Sequence, residues 1–216
     1  ICDGWSLDLL GYEVSRIYDA RLAGHPSPLP ELPVQYVDHA VWQRNYLQGD
    51  ALESLMGYWR QKLEGLTPLD LPTDRPRGLS APSRQMRLDF QISNRIKNRL
   101  GQLCSDEGIT PHVLMLATFQ LLLHRYSDSD DIAVGSISAN RRQPEIQGMI
   151  GLFINNLVMR NDLSGDPAFR ELLARVAKTA VEAYDHQEMR FELLAKELQP
   201  GHDLAKQPLV QVLFGY

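Results

Sequence analysis

The chain has 216 residues, 44% hydrophobic and 23% charged, enough apolar material to bury a core as one large domain or two small ones. A formal net charge of −5 with dispersed arginines gives no basic field for nucleic acid. The longest apolar run, near Val113 to Leu123, is broken by Thr118 and Gln120 and is well short of the ~20 residues of a spanning helix, so neither nucleic acid nor membrane is an expected partner.

In chain order, Asp3-Gly4-Trp5-Ser6 reads as a strand end breaking into a helix at the serine. Leu7, Leu10, Val14, Ile17, Tyr18 and Leu22 carry the helical spacing onward, and Gly24 stops it. Prolines 26, 28, 30 and 33 forbid a helix and predict an extended surface segment. Two short helices follow, Val37 to Gln48 and Leu52 to Leu63, stopped by Gly49-Asp50 and Gly65. After a second proline-rich crossing, Met86, Leu88, Phe90 and Ile92 alternate with polar residues as in a half-buried strand.

Ser93 caps an expected helix to about Ser105. Thr110-Pro111 opens another, to about Tyr126, whose apolar residues lie on nearly every face and place it at the centre of the core. Short strands are expected at Asp131 to Gly135, Leu152 to Met159 and Leu209 to Phe214, with helices from Pro167 to about Tyr184 and from Phe191 to Leu198. The pattern is a mixed α and β domain around a sheet, which alone names no function. Cys2 and Cys104 are too few for a disulfide framework or a zinc site and suit a reducing, cytoplasmic compartment. His25, His39, His112, His124 and His202 lack the spacing to carboxylates or cysteines that a metal site needs, so no metal is expected.

Five strings in fixed order point further. Tyr36-Val37-Asp38-His39-Ala40-Val41-Trp42-Gln43 resembles the YxDYAxWQ string of nonribosomal peptide synthetase condensation domains, and Leu71-Pro72-Thr73-Asp74-Arg75-Pro76-Arg77 resembles their LPTDRPRP. Ile150-Gly151-Leu152-Phe153-Ile154-Asn155-Asn156, with Arg160, is similar to IGxFVNT...R. His186-Gln187-Glu188-Met189-Arg190-Phe191-Glu192 is similar to HQDYPFE, and Asp203 to Leu209 to DxSRNPL. One short motif is weak; five in order across the chain are not. Asp3 and Gly4 then match the end of HHxxxDG, whose second histidine falls two places before Ile1.

The resemblance implies an α/β sandwich, a chloramphenicol-acetyltransferase-like lobe forming the second half of a V-shaped two-lobe condensation domain. Residues 1–216 would be the C-terminal lobe with its crossing loops, and the N-terminal lobe would lie outside the chain. It implies amide formation between a donor acyl or peptidyl thioester and an acceptor aminoacyl thioester. No cofactor is bound directly; the 4'-phosphopantetheine arms of upstream and downstream peptidyl carrier domains deliver the substrates, with an adenylation domain adjacent. The motif histidine is the group able to take a proton near neutral pH, so this stretch alone is expected to bind and orient without catalysing. A non-catalytic platform that recruits a carrier or tailoring enzyme, and an epimerisation domain, are the alternatives.

The same resemblance assigns the site residues. Asp3 is expected to stay charged through an internal ion pair, with Arg160 as partner. Gly4 either turns its N–H toward the thioester oxygen or only makes the turn. Trp42 is expected to pack in the core or shape the substrate tunnel. Asn155 and Asn156 place amides on an otherwise apolar strand, where they would bond a loop or the pantetheine arm. His186 and Gln187 lie at a helix end, where the dipole favours a histidine. Against the family strings, His39 replaces a tyrosine, Asn156 a threonine and Arg190 a proline, while Ala205-Lys206-Gln207 replaces SRN. A chain alone in solution is expected to expose the apolar face that meets the first lobe, with poor solubility or self-association.

Overall fold

The computed structural model describes residues 2–73, 86–199 and 209–216. Most of the LPTDRPR string and nearly all of the string from Asp203 lie outside the described residues. Eight helices and three strands are described: α1 (Gly4–Leu22), α2 (Tyr36–Tyr46), α3 (Gly49–Lys62), α4 (Asn94–Glu107), α5 (Pro111–Ser127), β1 (Asp131–Ser138), α6 (Pro144–Gln147), β2 (Asn155–Asp162), α7 (Phe169–Asp185), α8 (Phe191–Leu198) and β3 (Leu213–Phe214). The strands form one sheet in the order β2-β1-β3. No helix among the described residues is long and apolar enough to cross a membrane.

Local chemistry sets several helix ends. Ser93 accepts from the Ile96 N–H at the start of α4, and Gly108 closes that helix in the left-handed region at φ 62°. Thr110 accepts from the Val113 N–H, and Pro111 occupies the first turn of α5, where its missing donor costs nothing. Asp38 accepts from the Gln35 N–H and so caps α2 from within its first turn. Gly49, expected as a stop, is instead the first residue of α3.

The chain divides into two compact units. The first comprises, among the described residues, 2–64, 136–157 and 184–199; the second comprises 65–73, 86–135, 158–183 and 209–216. The first unit buries Leu55, Met56 and Trp59 of α3 and Leu194 and Ala195 of α8, and a separate cluster of Ile146, Met149 and Phe153 packs with Leu32 and Val34. In the second unit, α5 buries Val113, Leu114, Leu116, Ala117, Gln120 and Leu123, as its apolar pattern predicts. Ile132 and Val134 of β1, Val158 and Met159 of β2, and Leu172, Leu173 and Val176 of α7 are buried there too.

Inside this apolar centre sits a short polar chain. Gln120 donates to the Met159 carbonyl at 2.8 Å, Asn161 donates to Gln120 at 2.9 Å, and the Thr179 hydroxyl donates to Asn161 at 2.7 Å. All three side chains are buried, and their mutual bonds offset the desolvation of the amides.

Three expected elements differ. Residues 86–92 carry no ladder, and Met86, Leu88 and Phe90 are almost fully exposed; the alternation is present without a partner strand among the described residues. The last strand is confined to Leu213–Phe214, and β2 begins at Asn155 rather than Leu152. Gly135 explains the close approach of the terminal segment: a Cβ there would collide with Leu213 and lie 3.0 Å from Val210, and its N–H donates to the Val212 carbonyl at 2.9 Å.

Candidate functional site

The site grows from the first turn of α1. Asp3, not Ser6, caps this helix: its carboxylate accepts the Ser6 N–H at 2.9 Å. The same carboxylate accepts the Phe153 N–H at 3.0 Å, and the Asp3 N–H donates to the Gly151 carbonyl at 3.2 Å. The Ser6 hydroxyl lies 2.7 Å from Asp3 Oδ1 and 2.8 Å from the Gly151 carbonyl, and accepts the Gly151 N–H at 3.0 Å. The Asp-Gly-Trp-Ser string and the Ile-Gly-Leu-Phe string are thereby bound together, about 150 residues apart in the chain.

The cation in this knot is Arg141. Its Nη2 lies 3.2 Å from Asp3 Oδ1 and donates to Ser6 Oγ at 2.8 Å, while Nη1 donates to the carbonyls of Ile146 at 2.6 Å and Met149 at 2.7 Å. Its guanidinium carbon stands 4.0 Å from the Phe153 ring centroid. Both charged side chains are at most 1% exposed. Burial by itself raises the Asp3 pKa, but hydrogen bonds from the Ser6 hydroxyl and the Phe153 and Ser6 N–H groups, with the charge of Arg141, outweigh it and bring it to about 2. Asp3 is therefore ionised at neutral pH and holds structure; it has no proton to exchange there.

Arg160, the expected partner of Asp3, is elsewhere. It forms a two-pronged pair with Asp131, Nε to Oδ1 and Nη2 to Oδ2, both at 2.8 Å, within the second unit. The expectation of a buried ion pair holds and the choice of arginine is corrected. In sequence Arg141 and Arg142 are adjacent and alike. Among the described residues Arg142 reaches only an exposed contact to Glu188 at 3.5 Å, so no local pattern separated the structural cation from its neighbour.

Gly4 is the first residue of α1, and nothing among the described residues crowds a Cβ placed on it. The glycine that a close approach does require is Gly151, where a Cβ would collide with the Tyr36 ring. Tyr36 donates its hydroxyl to the Leu152 carbonyl at 2.9 Å and meets Phe153 edge-on at 5.2 Å between centroids, which seats α2 on the same segment.

Trp42 is not a core residue. It is 42% exposed and stacks on Tyr46 at 5.3 Å, at the edge of the buried cluster rather than within it. The buried indole is Trp59, which donates to the His186 carbonyl at 3.2 Å.

Asn155 acts as a loop clamp. Its amide donates to the carbonyls of Gln187 at 2.8 Å and Met189 at 2.6 Å, and its oxygen accepts the Phe191 N–H at 3.1 Å. Asn156, half-buried, takes the opposite face of the strand. His186 follows the end of α7 and stacks on Tyr58 at 3.7 Å, while buried Gln187 accepts the Ser138 hydroxyl at 2.6 Å. Asp3 from the end of HHxxxDG, and Tyr36 and Gln187 from two of the five strings, thus converge on residues 151–155 of a third, within the first unit.

A cleft of about 450 Å³ opens beside this knot, with Phe153 and Asn155 in its wall. Its other walls come from α2 through His39, Gln43 and Arg44 and from the start of α8 through Arg190 and Glu192. A smaller apolar groove of about 310 Å³ shares His39 and is walled by Val34, Trp42 and Ile146.

The family model of the condensation domain matches residues 1–216. A linear gramicidin synthase of Brevibacillus parabrevis is 47% identical over 213 residues, covering 98% of this chain and 4% of that protein. The X-domain from teicoplanin biosynthesis, also solved in complex with OxyB, is 29% identical with a TM-score of 0.87, covering 98% of this chain and 48% of its own. The first condensation domain of the CDA synthetase, at 22% identity and a TM-score of 0.72, covers 91% of this chain and 43% of its own, and supports the fold alone. The chain thus spans under half of these solved structures and a small part of the gramicidin synthase. Its mixed α/β architecture is of the chloramphenicol-acetyltransferase-like type, and the chain belongs to the condensation domain family of the nonribosomal peptide synthetases.

Proposed function

We propose that this chain is the C-terminal portion of a domain that joins two carrier-bound thioesters: the α-amine of the acceptor attacks the donor carbonyl, a C–N bond forms, and the donor thiol leaves. The observation that carries the reading is the buried Asp3–Arg141–Ser6 knot, which anchors the Asp-Gly end of the histidine motif to residues 151–153. A histidine expected two places before Ile1 would be held at that anchor, and with it the proton acceptor for the attacking amine. Asp3 does no proton transfer in this reading; its low pKa keeps the carboxylate available to hold Arg141 and the Phe153 N–H. The substrates arrive on phosphopantetheine arms of peptidyl carrier domains, with an adenylation domain nearby and the first lobe preceding this chain.

The test is product formation in the full-length protein supplied with donor-loaded and acceptor-loaded carriers. The expected result is donor mass transferred onto the acceptor carrier, lost on replacing the histidine two places before Ile1. Racemised acyl carrier without transfer would instead indicate epimerisation.

A second reading follows from the likeness to the teicoplanin X-domain, whose solved complex contains OxyB. On that reading the domain recruits a tailoring enzyme and makes no bond. Absence of transfer together with stoichiometric capture of a tailoring enzyme would select it.

A further inference from the structure

The cleft of the first unit contains charged groups that the knot does not use. Arg44 projects from α2, and its guanidinium has no hydrogen-bond or ion-pair partner among the described residues. Arg190 stands on the facing wall, 3.8 Å from the Glu192 carboxylate, so the cleft holds two guanidinium groups against one carboxylate in a chain whose net charge is −5. The floor is different in character: Leu152, Phe153 and Ile154 present an apolar surface. A volume of about 450 Å³ is in the range that small-molecule sites occupy.

His39 supplies the remaining polar group. Its ring is 4.9 Å from Phe153 and 5.6 Å from Trp42, centroid to centroid, and neither ring nitrogen has a hydrogen-bond partner among the described residues. Burial, and after it the charge of Arg141, lowers its pKa, so near neutral pH the imidazole offers one donor and one acceptor without charge. The family string has a tyrosine at this position, which would present a hydroxyl and no acceptor nitrogen.

We propose that this cleft is a subsite for the anionic end of an extended, amide-bearing ligand, with Arg44 and Arg190 contacting the anion, His39 contacting an amide and the 152–154 segment supporting the aliphatic part. The inference rests on the reading above only for the ligand's identity. The same chemistry has two sources, the phosphate of a carrier arm or an acidic side chain on the acceptor.

Binding to the full-length protein is measured by calorimetry with four probes: 4'-phosphopantetheine, pantetheine, and the pantetheine thioesters of glutamate and of glutamine. The expected result is about tenfold or tighter binding of the anionic member of one pair, since a charge-assisted hydrogen bond is lost in the neutral one. Preference within the first pair identifies the phosphate, and within the second the acceptor side chain. The double replacement Arg44→Ala with Arg190→Ala should abolish that preference while the neutral probe still binds, and Arg44→Lys should keep part of it. Arg44 and Arg190 are exposed, and the circular dichroism spectrum and melting curve of each variant check that it is folded. Equal affinities within both pairs in the parent protein, or a preference unchanged in the double variant, overturn the proposal. Binding needs no turnover, so a protein that forms no amide yet shows the preference would retain the subsite and lose the condensation reading.

Discussion

Asp3 and Arg141 stabilise the first unit because each would be costly to bury alone. Arg141→Ala leaves a carboxylate at 0% side-chain exposure without its cation, and the expected loss is about 3–5 kcal/mol of stability, read from urea unfolding. Arg160→Ala removes a partly exposed pair and should cost about 1 kcal/mol. Equal effects would contradict the separation of the two arginines. The Asp3 pKa falls from 3.8 to about 2 on folding, so its contribution is fully present above the unfolded value and is lost as pH falls toward 2. That contribution is about 2 kcal/mol, and the stability gap between the parent protein and Asp3→Asn should shrink by roughly two thirds of it between pH 6 and pH 2.5, the remainder being lost only below the folded pKa. The need to pair Asp3 was legible in the sequence, since a charge at a closed site demands a partner. Which arginine answers was not, because the choice is made by a turn at residues 141–149 that brings two carbonyls to one guanidinium.

Elements whose ends depend on local chemistry were the most readable. Thr110-Pro111, Ser93 and the α8 limits follow from capping and periodicity, which act within a few residues. Strands were less readable, because a ladder needs a partner the local pattern does not name; residues 86–92 alternate correctly and pair with nothing among the described residues. Gly151 belongs to this long-range class. Gly151→Ala should displace the Tyr36 ring, and a change in near-ultraviolet circular dichroism with a loss of about 1–3 kcal/mol is expected. The buried amides of the second unit behave similarly. Thr179→Val removes the donor to Asn161 and should cost about 1–3 kcal/mol, where an exposed threonine would cost almost nothing.

Across the molecule, the most conspicuous feature of the sequence pattern is the apolar side of α1. Leu7, Leu10, Val14, Tyr18 and Leu22 carry helical spacing, yet each is at least 44% exposed, while the helix is held at its first turn by Asp3 and Ser6. Periodicity identified the face correctly and could not say what covers it. The 216-residue chain by itself should bind a hydrophobic dye strongly and associate with itself, and a monomer that leaves the dye dark would contradict this.

The long separation within the knot also has a meaning in time. Asp3 is translated well before the groups that neutralise it, since the Arg141 guanidinium and the Phe153 N–H come 138 and 150 residues later. At ~5–20 residues per second, roughly seven to thirty seconds pass before the ribosome supplies them. For that interval Asp3 is paired with water alone, so the start of α1 is fixed to residues 141–153 only after most of the chain has been made.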